Sequence, residues 1–177
     1  MQAPFEATEG RAKLAAIISA FPVDSPHWNE AQNRFQFVDR LLTECLGWER
    51  PYIEVEHSDE LGGKADYVLG SNPPKAVLEA KREAKVFDTL PIGKPSVVRK
   101  IAPLLSACTN LEEAVHQVIP YCALRGAPIA IVCNGPQLLI FQAIVLGQSP
   151  LEGECYLFNG FESYLEYFPI LWSLLSP

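Results

Sequence analysis

Polar and apolar positions first mark out a helix over residues 7–20, rich in alanine and halted by Pro22, with a loop running on through Pro26. A second helix opens behind it. Asn29 is a capping residue, Gln32 stands at the capping-box position, and Phe35, Val38, Leu41, Leu42, Cys45 and Leu46 follow at helical intervals as one apolar stripe. Gly47 and Pro51 end it. From residue 52 the period falls to two. Ile53 and Val55 alternate with Glu54 and Glu56, Gly62 and Gly63 supply a turn, residues 64–69 read as a second strand, and a Gly-Ser-Asn-Pro-Pro loop leads to a third over 75–81. A Pro- and Gly-broken basic segment precedes a short helix over 97–107. A longer helix starts at Asn110, with Glu113 completing a second capping box, and closes at Gly126 and Pro128. Residues 129–133 have the length of a buried strand, and Asn134-Gly135 is a hairpin signal before a strand over 138–144. The ending is apolar: Tyr164, Leu165, Phe168, Leu171, Trp172, Leu174 and Leu175 crowd together as a helix that docks on the domain's own sheet or leads into a further domain. The order is helix, three strands, helix, two strands and a helical tail, an α/β fold with a central mixed sheet flanked by helices.

Composition narrows the class. In 177 residues, 49% are hydrophobic and 20% charged, which suits one domain with a sizeable core and excludes a disordered chain. No apolar run reaches the roughly 18 residues of a membrane span, and no basic segment precedes an apolar one at the start, so the expectation is a cytoplasmic protein without membrane partners. Five cysteines lie scattered among apolar neighbours without metal-ligand spacing, which reads as buried free thiols. The three histidines lack ligand spacing too, so a zinc enzyme is not indicated.

Charge adds one feature. The formal net charge is −7, against a protein that coats nucleic acid by bulk electrostatics, yet residues 75–100 carry +4 while the remainder carries −11. That strip is either a local phosphate-binding surface, with Lys85, Arg99 and Lys100 as its DNA contacts, or a solvated loop after a strand.

Three residues carry candidate chemistry. Asp66 stands in the second strand, and Glu79 and Lys81 alternate onto one face at the end of the third, with Ala80 turned away. If the strands pair, the three side chains meet at a sheet edge, where buried charges need partners. Mg²⁺ is such a partner. Asp66, Glu79 and the Ala80 carbonyl are oxygen donors of the type it accepts, and Lys81 would stabilise charge developing at a phosphorus centre. The alternative is an ordinary solvated strand end.

The ordered set of Asp66 on a strand behind a helix, Glu79-Ala80-Lys81 on the next strand, and Gln117-Val118-Ile119-Pro120-Tyr121 on a later helix resembles the PD-(D/E)xK nuclease superfamily. With Leu46-Gly47-Trp48, the 63–69 strand and Cys133-Asn134-Gly135, it is similar to the amino-terminal nuclease domain of type I restriction endonuclease R subunits and related bacterial defence proteins. The likeness spans residues 29–144, so the chain divides into a helical extension (1–28), a core (29–145) and a helical tail (146–177). Ala65 replaces the proline of the family pattern, and Pro120 removes a helix bond to His116 and should kink that helix.

The resemblance implies a restriction-endonuclease-like core, Mg²⁺ (with Mn²⁺ as substitute) and hydrolysis of DNA, possible translocase and methyltransferase partners, and Gln117 and Tyr121 orienting DNA against the catalytic face. It also implies an acidic ligand on the first core helix, for which Glu30 is the candidate and Glu44 an alternative; a carboxylate complementing the helix dipole explains Glu30 equally. Arg34, one turn on, would pair with Glu30 or with phosphate. The competing expectation is a DNA-binding or assembly module of the same fold that does not cut.

Overall fold

A computed structural model describes residues 6–21, 27–58, 64–82, 87 and 98–177. The expected Gly62–Gly63 turn, Lys85 and most of the basic strip lie outside them. The described elements are α1 (Ala7–Ser19), α2 (Glu30–Asn33) running on through the π-helical turns Arg34–Val38 and Leu41–Cys45, β1 (Ile53–Ser58), β2 (Lys64–Leu69), β3 (Ala76–Ala80), β4 (Val98–Lys100), α3 (Ile101–Ala107), α4 (Thr109–Arg125), β5 (Ile129–Cys133), β6 (Gln137–Gln142), β7 (Glu154–Asn159), α5 (Phe161–Glu166) and α6 (Phe168–Leu175).

The strands form one seven-stranded mixed sheet in the order β1-β2-β3-β5-β6-β7-β4. β3 and β5 run parallel, joined by a crossover that includes α4, and every other described pair is antiparallel. Helices cover both faces. On one, Leu14 and Ile17 of α1, Phe37, Val38, Leu41 and Leu42 of the helical run, and Tyr164, Phe168 and Leu171 of the tail bury Tyr67, Leu78, Ile131 and Phe158. On the other, α3 and α4 bring Ile101, Leu105, Leu111, Val115 and Val118 against Val68, Val77, Val132 and Leu139. The chain is thus an α/β protein with helices on both faces of its sheet. Among the described residues no helix is long and apolar enough to cross a membrane.

Four expectations need correction. The apolar stripe of the second helix includes Phe37, fully buried, and not Phe35, which is 66% exposed. The cause is the π-helical turn, in which Asp39 N–H bonds Arg34 O: each turn takes an extra residue and the buried face moves off the α-helical interval. The helix expected over 97–107 begins at Ile101, because the three residues before it pair with β7 at the sheet edge. The capping box at Asn110 does not form. α4 starts at Thr109, which leaves Asn110 in its first turn, although the helix runs unbroken past Pro120.

The tail is not wholly helical either. Glu154–Asn159 is a strand that buries Cys155, Leu157 and Phe158 and pairs with β6. The described parts of 1–28 and 146–177 therefore share the core of the central segment, and Trp48 reinforces this by donating its indole N–H to Leu175 O at 2.7 Å.

One close approach controls the outer helical layer. Gly10 of α1 lies so near the Leu41–Cys45 turn that a Cβ there would stand 2.0 Å from Cys45 O. Gly10→Ala is expected to lower the unfolding free energy by about 2 kcal/mol or more, read from urea denaturation, because the obstacle is backbone that cannot rotate away. The five cysteines are all free and buried, and burial pushes the thiols of Cys45, Cys122 and Cys155 up to about 12 and that of Cys133 up to about 11. In the folded chain they should resist a disulfide-exchange reagent such as DTNB, and all should react in denaturant.

Candidate active site

The β2–β3 ladder pairs Leu69 with Ala76, Val68 with Val77 and Tyr67 with Leu78, then stops. Asp66 and Glu79 are the next opposing positions. Lys81 N–H points to the other neighbour, bonding Cys133 O at 2.7 Å, so Ala80 N–H points toward β2. There it meets a side chain: Asp66 Oδ2 accepts it at 2.8 Å. The Ala80 carbonyl lies on the same strand edge as its N–H, beside Asp66.

Glu79 and Lys81 extend from the α4 face, the side on which Val77 is buried. Lys81 Nζ is 2.6 Å from Glu79 Oε1 and also donates to Gln117 Oε1 of α4. Glu79 is only 8% exposed and Asp66 7%. Burial pushes the Glu79 carboxyl above its ordinary range; the Lys81 bond opposes this, and the negative charges of Asp66 and Glu30 reinforce it.

Glu30, Lys81, Arg82, Asn110, Glu113 and Gln117 line one cleft of about 230 Å³. Helix α2 delivers Glu30 because Asn29 caps it, its Oδ1 accepting from Gln32 N–H at 2.8 Å as the spacing anticipated. The structure therefore brings together Asp66, Glu79, Lys81, Gln117 and Glu30. Tyr121, one turn beyond Gln117, is half-buried against the core on the α4 side and does not line the cleft. Glu44 pairs with Arg40 at 2.8 Å.

Arg34 is turned inward. It is 9% exposed and its guanidinium is shared among Asp66, Glu56 and the Tyr67 hydroxyl, so it is not placed to meet a phosphate or Glu30. Arg99 and Lys100 stand in β4 at the far edge, and Lys100 pairs with Glu154 at 3.2 Å. Register carries Arg99 through Cys155, Phe141 and Ala130 to Val77, so it is level with Val77 but four strands away. At about 4.8 Å per strand that is roughly 19 Å from β3.

Several residues at the site escaped the sequence reading. Asn33, fully buried, donates from Nδ2 to Lys81 O at 2.8 Å and so fixes the end of β3. Among the described residues its Oδ1 has no hydrogen-bond partner, and it faces Gly135, where a Cβ would come within 2.8 Å of it. The available signal was an asparagine one helical turn ahead of Phe37. Of the other cleft residues, Asn110 and Glu113 read from their spacing as a helix cap and Arg82 as one charge of the basic strip, and neither pattern points to a cleft.

The donors suit a hard divalent cation. Two carboxylates and a main-chain carbonyl stand at the ends of two neighbouring strands, and a carboxylate oxygen that accepts one N–H retains a lone pair. Among the described residues no group of three or more His, Cys, Asp or Glu side chains could hold a metal ion, so an ion here would rest on two carboxylates and the carbonyl, with water and phosphate oxygens completing its shell. Comparison of the chain with protein-family models, with curated proteins and with solved structures gives no match.

Because the Glu79 carboxyl is raised on folding, its neutral form adds stability that is complete below the unfolded value near pH 4.3 and is lost as pH rises through the folded value. Glu79→Gln should therefore melt a few degrees above the parent at pH 7, with the gap closing by about pH 4 in thermal scans across that range.

Proposed function

We propose that this chain is a divalent-metal-dependent nuclease domain that hydrolyses DNA phosphodiester bonds on a restriction-endonuclease-like core. The observation that carries the reading is the convergence, at the end of two neighbouring strands, of Asp66 and Glu79 with Lys81, itself held by Gln117 from the crossover helix. The ordered resemblance of these residues to the PD-(D/E)xK superfamily supports the same reading.

Asp66, Glu79 and the Ala80 carbonyl would hold Mg²⁺, or Mn²⁺ in its place, and the ion would supply charge neutralisation at the phosphate and a more acidic water. The chain's own residues do the rest. Glu79 Oε1 and Gln117 Oε1 fix the Lys81 ammonium between them, so that it meets the negative charge of the attacking oxygen without reorganising. Asn33 stops the Lys81 backbone from swinging by gripping its carbonyl. Glu30 borders the cleft as an additional acidic group, and Arg82 is an exposed cation on its rim.

In this reading the partner is DNA, the setting is a bacterial defence system in the cytoplasm, and translocase or methyltransferase components belong to other domains or subunits. The net charge of −7 means that such components would supply much of the DNA affinity.

Supercoiled plasmid incubated with the purified chain should be nicked or linearised with Mg²⁺ or Mn²⁺ and left intact with EDTA. Glu79→Ala and Lys81→Ala should each reduce the rate by at least about 100-fold while folding normally. Intact plasmid under every condition, with retained DNA binding in a mobility-shift assay, would instead identify a non-cutting DNA-binding or assembly module.

A further inference from the structure

Around Asp66 regular strand geometry fails. Ala65 is buried in the α4-side core and Tyr67 in the opposite one, although residues two apart on a strand should share a face. Directly across on β1, the ladder skips Glu56, whose φ of 55° is a left-handed conformation that non-glycine residues adopt only under strain. Both irregular residues face one cation. Arg34 Nη1 is 3.2 Å from Asp66 Oδ1 and 3.2 Å from Glu56 Oε1, its Nε donates to the Tyr67 hydroxyl at 3.3 Å, and its guanidinium carbon lies 4.9 Å from the centre of the Tyr67 ring. The Tyr67 hydroxyl in turn donates to Asp39 Oδ1 at 2.7 Å.

Arg34 and Asp39 are five residues apart. On an α-helix they would be turned about 140° from one another. The π-helical turn Arg34–Val38 closes its bond from Asp39 N–H to Arg34 O and brings the two onto one side, where both reach the same hydroxyl. The turn that displaces Phe35 to the surface is the one that aims Arg34 at Asp66.

From this geometry we infer that Arg34 is a positioning residue: seated by Tyr67 and Asp39 through the π-helical turn, it fixes the Asp66 carboxylate so that one oxygen stays on the Ala80 amide beside Glu79. What this does for metal binding rests on the nuclease reading; the geometric claim does not. Arg34 fills one Asp66 oxygen and the Ala80 N–H the other, so the carboxylate has a single orientation in which its remaining lone pairs face the gap between β2 and β3. Lysine keeps the charge but lacks the planar fork that reaches three acceptors together.

The test uses the full chain and two variants, Tyr67→Phe, which keeps the ring and every charge, and Arg34→Lys, with Asp66→Ala as the reference for complete loss. The first readout is backbone amide hydrogen exchange by NMR, which needs no metal. Exchange at Ala80 should accelerate about tenfold or more in both variants, while the Lys81 amide, held by Cys133 O, stays protected. The second readout is calorimetric titration with Mn²⁺, where affinity should fall about 10- to 100-fold, as when a partner of a metal ligand is removed. Unchanged Ala80 exchange in both folded variants would overturn the inference. Accelerated exchange in a chain whose parent takes up no Mn²⁺ would uphold the positioning role and overturn the metal-dependent reading. Parent and variants binding Mn²⁺ equally well would uphold the reading and overturn the role of Arg34 in it.

Discussion

Among the described residues the amide of Ala80 has no backbone acceptor on the β2 side, because the β2–β3 ladder ends at Tyr67 and Leu78. A buried N–H cannot be left unpaired without a penalty of about 1–3 kcal/mol, so a side chain must take the ladder's place, and Asp66 does. The rest of the site follows from that substitution. A carboxylate drawn into the sheet plane lies beside Glu79 and excludes most solvent from both, which makes their shared negative charge costly. Lys81 and Gln117 answer the charge from the α4 face, and Arg34 answers it from the face covered by the helical run. Both helical layers are thereby tied to one pair of strand ends, and the cleft opens where they meet.

Much of this arrangement was legible in the sequence because its signals are local. A capping asparagine, a change of period from 3.6 to 2, and the Asn134-Gly135 turn each announce themselves within a few residues, and they place α2, the three-strand meander and the β5–β6 hairpin. Alternation likewise put Glu79 and Lys81 on one face. The unreadable parts depend on distant neighbours. The π-helical turn Arg34–Val38 coincides with a partner on β2 that Arg34 and Asp39 share, and nothing in the helix's own sequence reports that partner. β4 is three residues long and exists because β7 offers it an edge.

The basic strip shows the same lesson in charge. Contiguous in sequence, its described cations are dispersed by the fold. Lys75 donates to the Ser176 carbonyl, Lys81 enters the carboxylate cluster, Arg82 lines the cleft, and Arg99 and Lys100 go to the opposite edge of the sheet. A run of like charge predicts a surface only when the chain bearing it stays together, and here a crossover and an edge strand intervene.

The parallel pairing of β3 with β5 also sets an order of assembly. β2 and β3 are neighbours in sequence as well as in the sheet, whereas Ala76 meets Ile129 only after the intervening chain has been closed into a loop. Loop closure costs entropy that grows with the length enclosed, so the hairpin is the entropically cheaper contact and the crossover the dearer one. A chain that has formed only the hairpin holds Asp66 and Glu79 together, but Lys81 still lacks Gln117 and the β5 carbonyl that receives its amide. The cluster is thus completed by the slower, long-range event, and the two carboxylates meet before the groups that orient their lysine arrive.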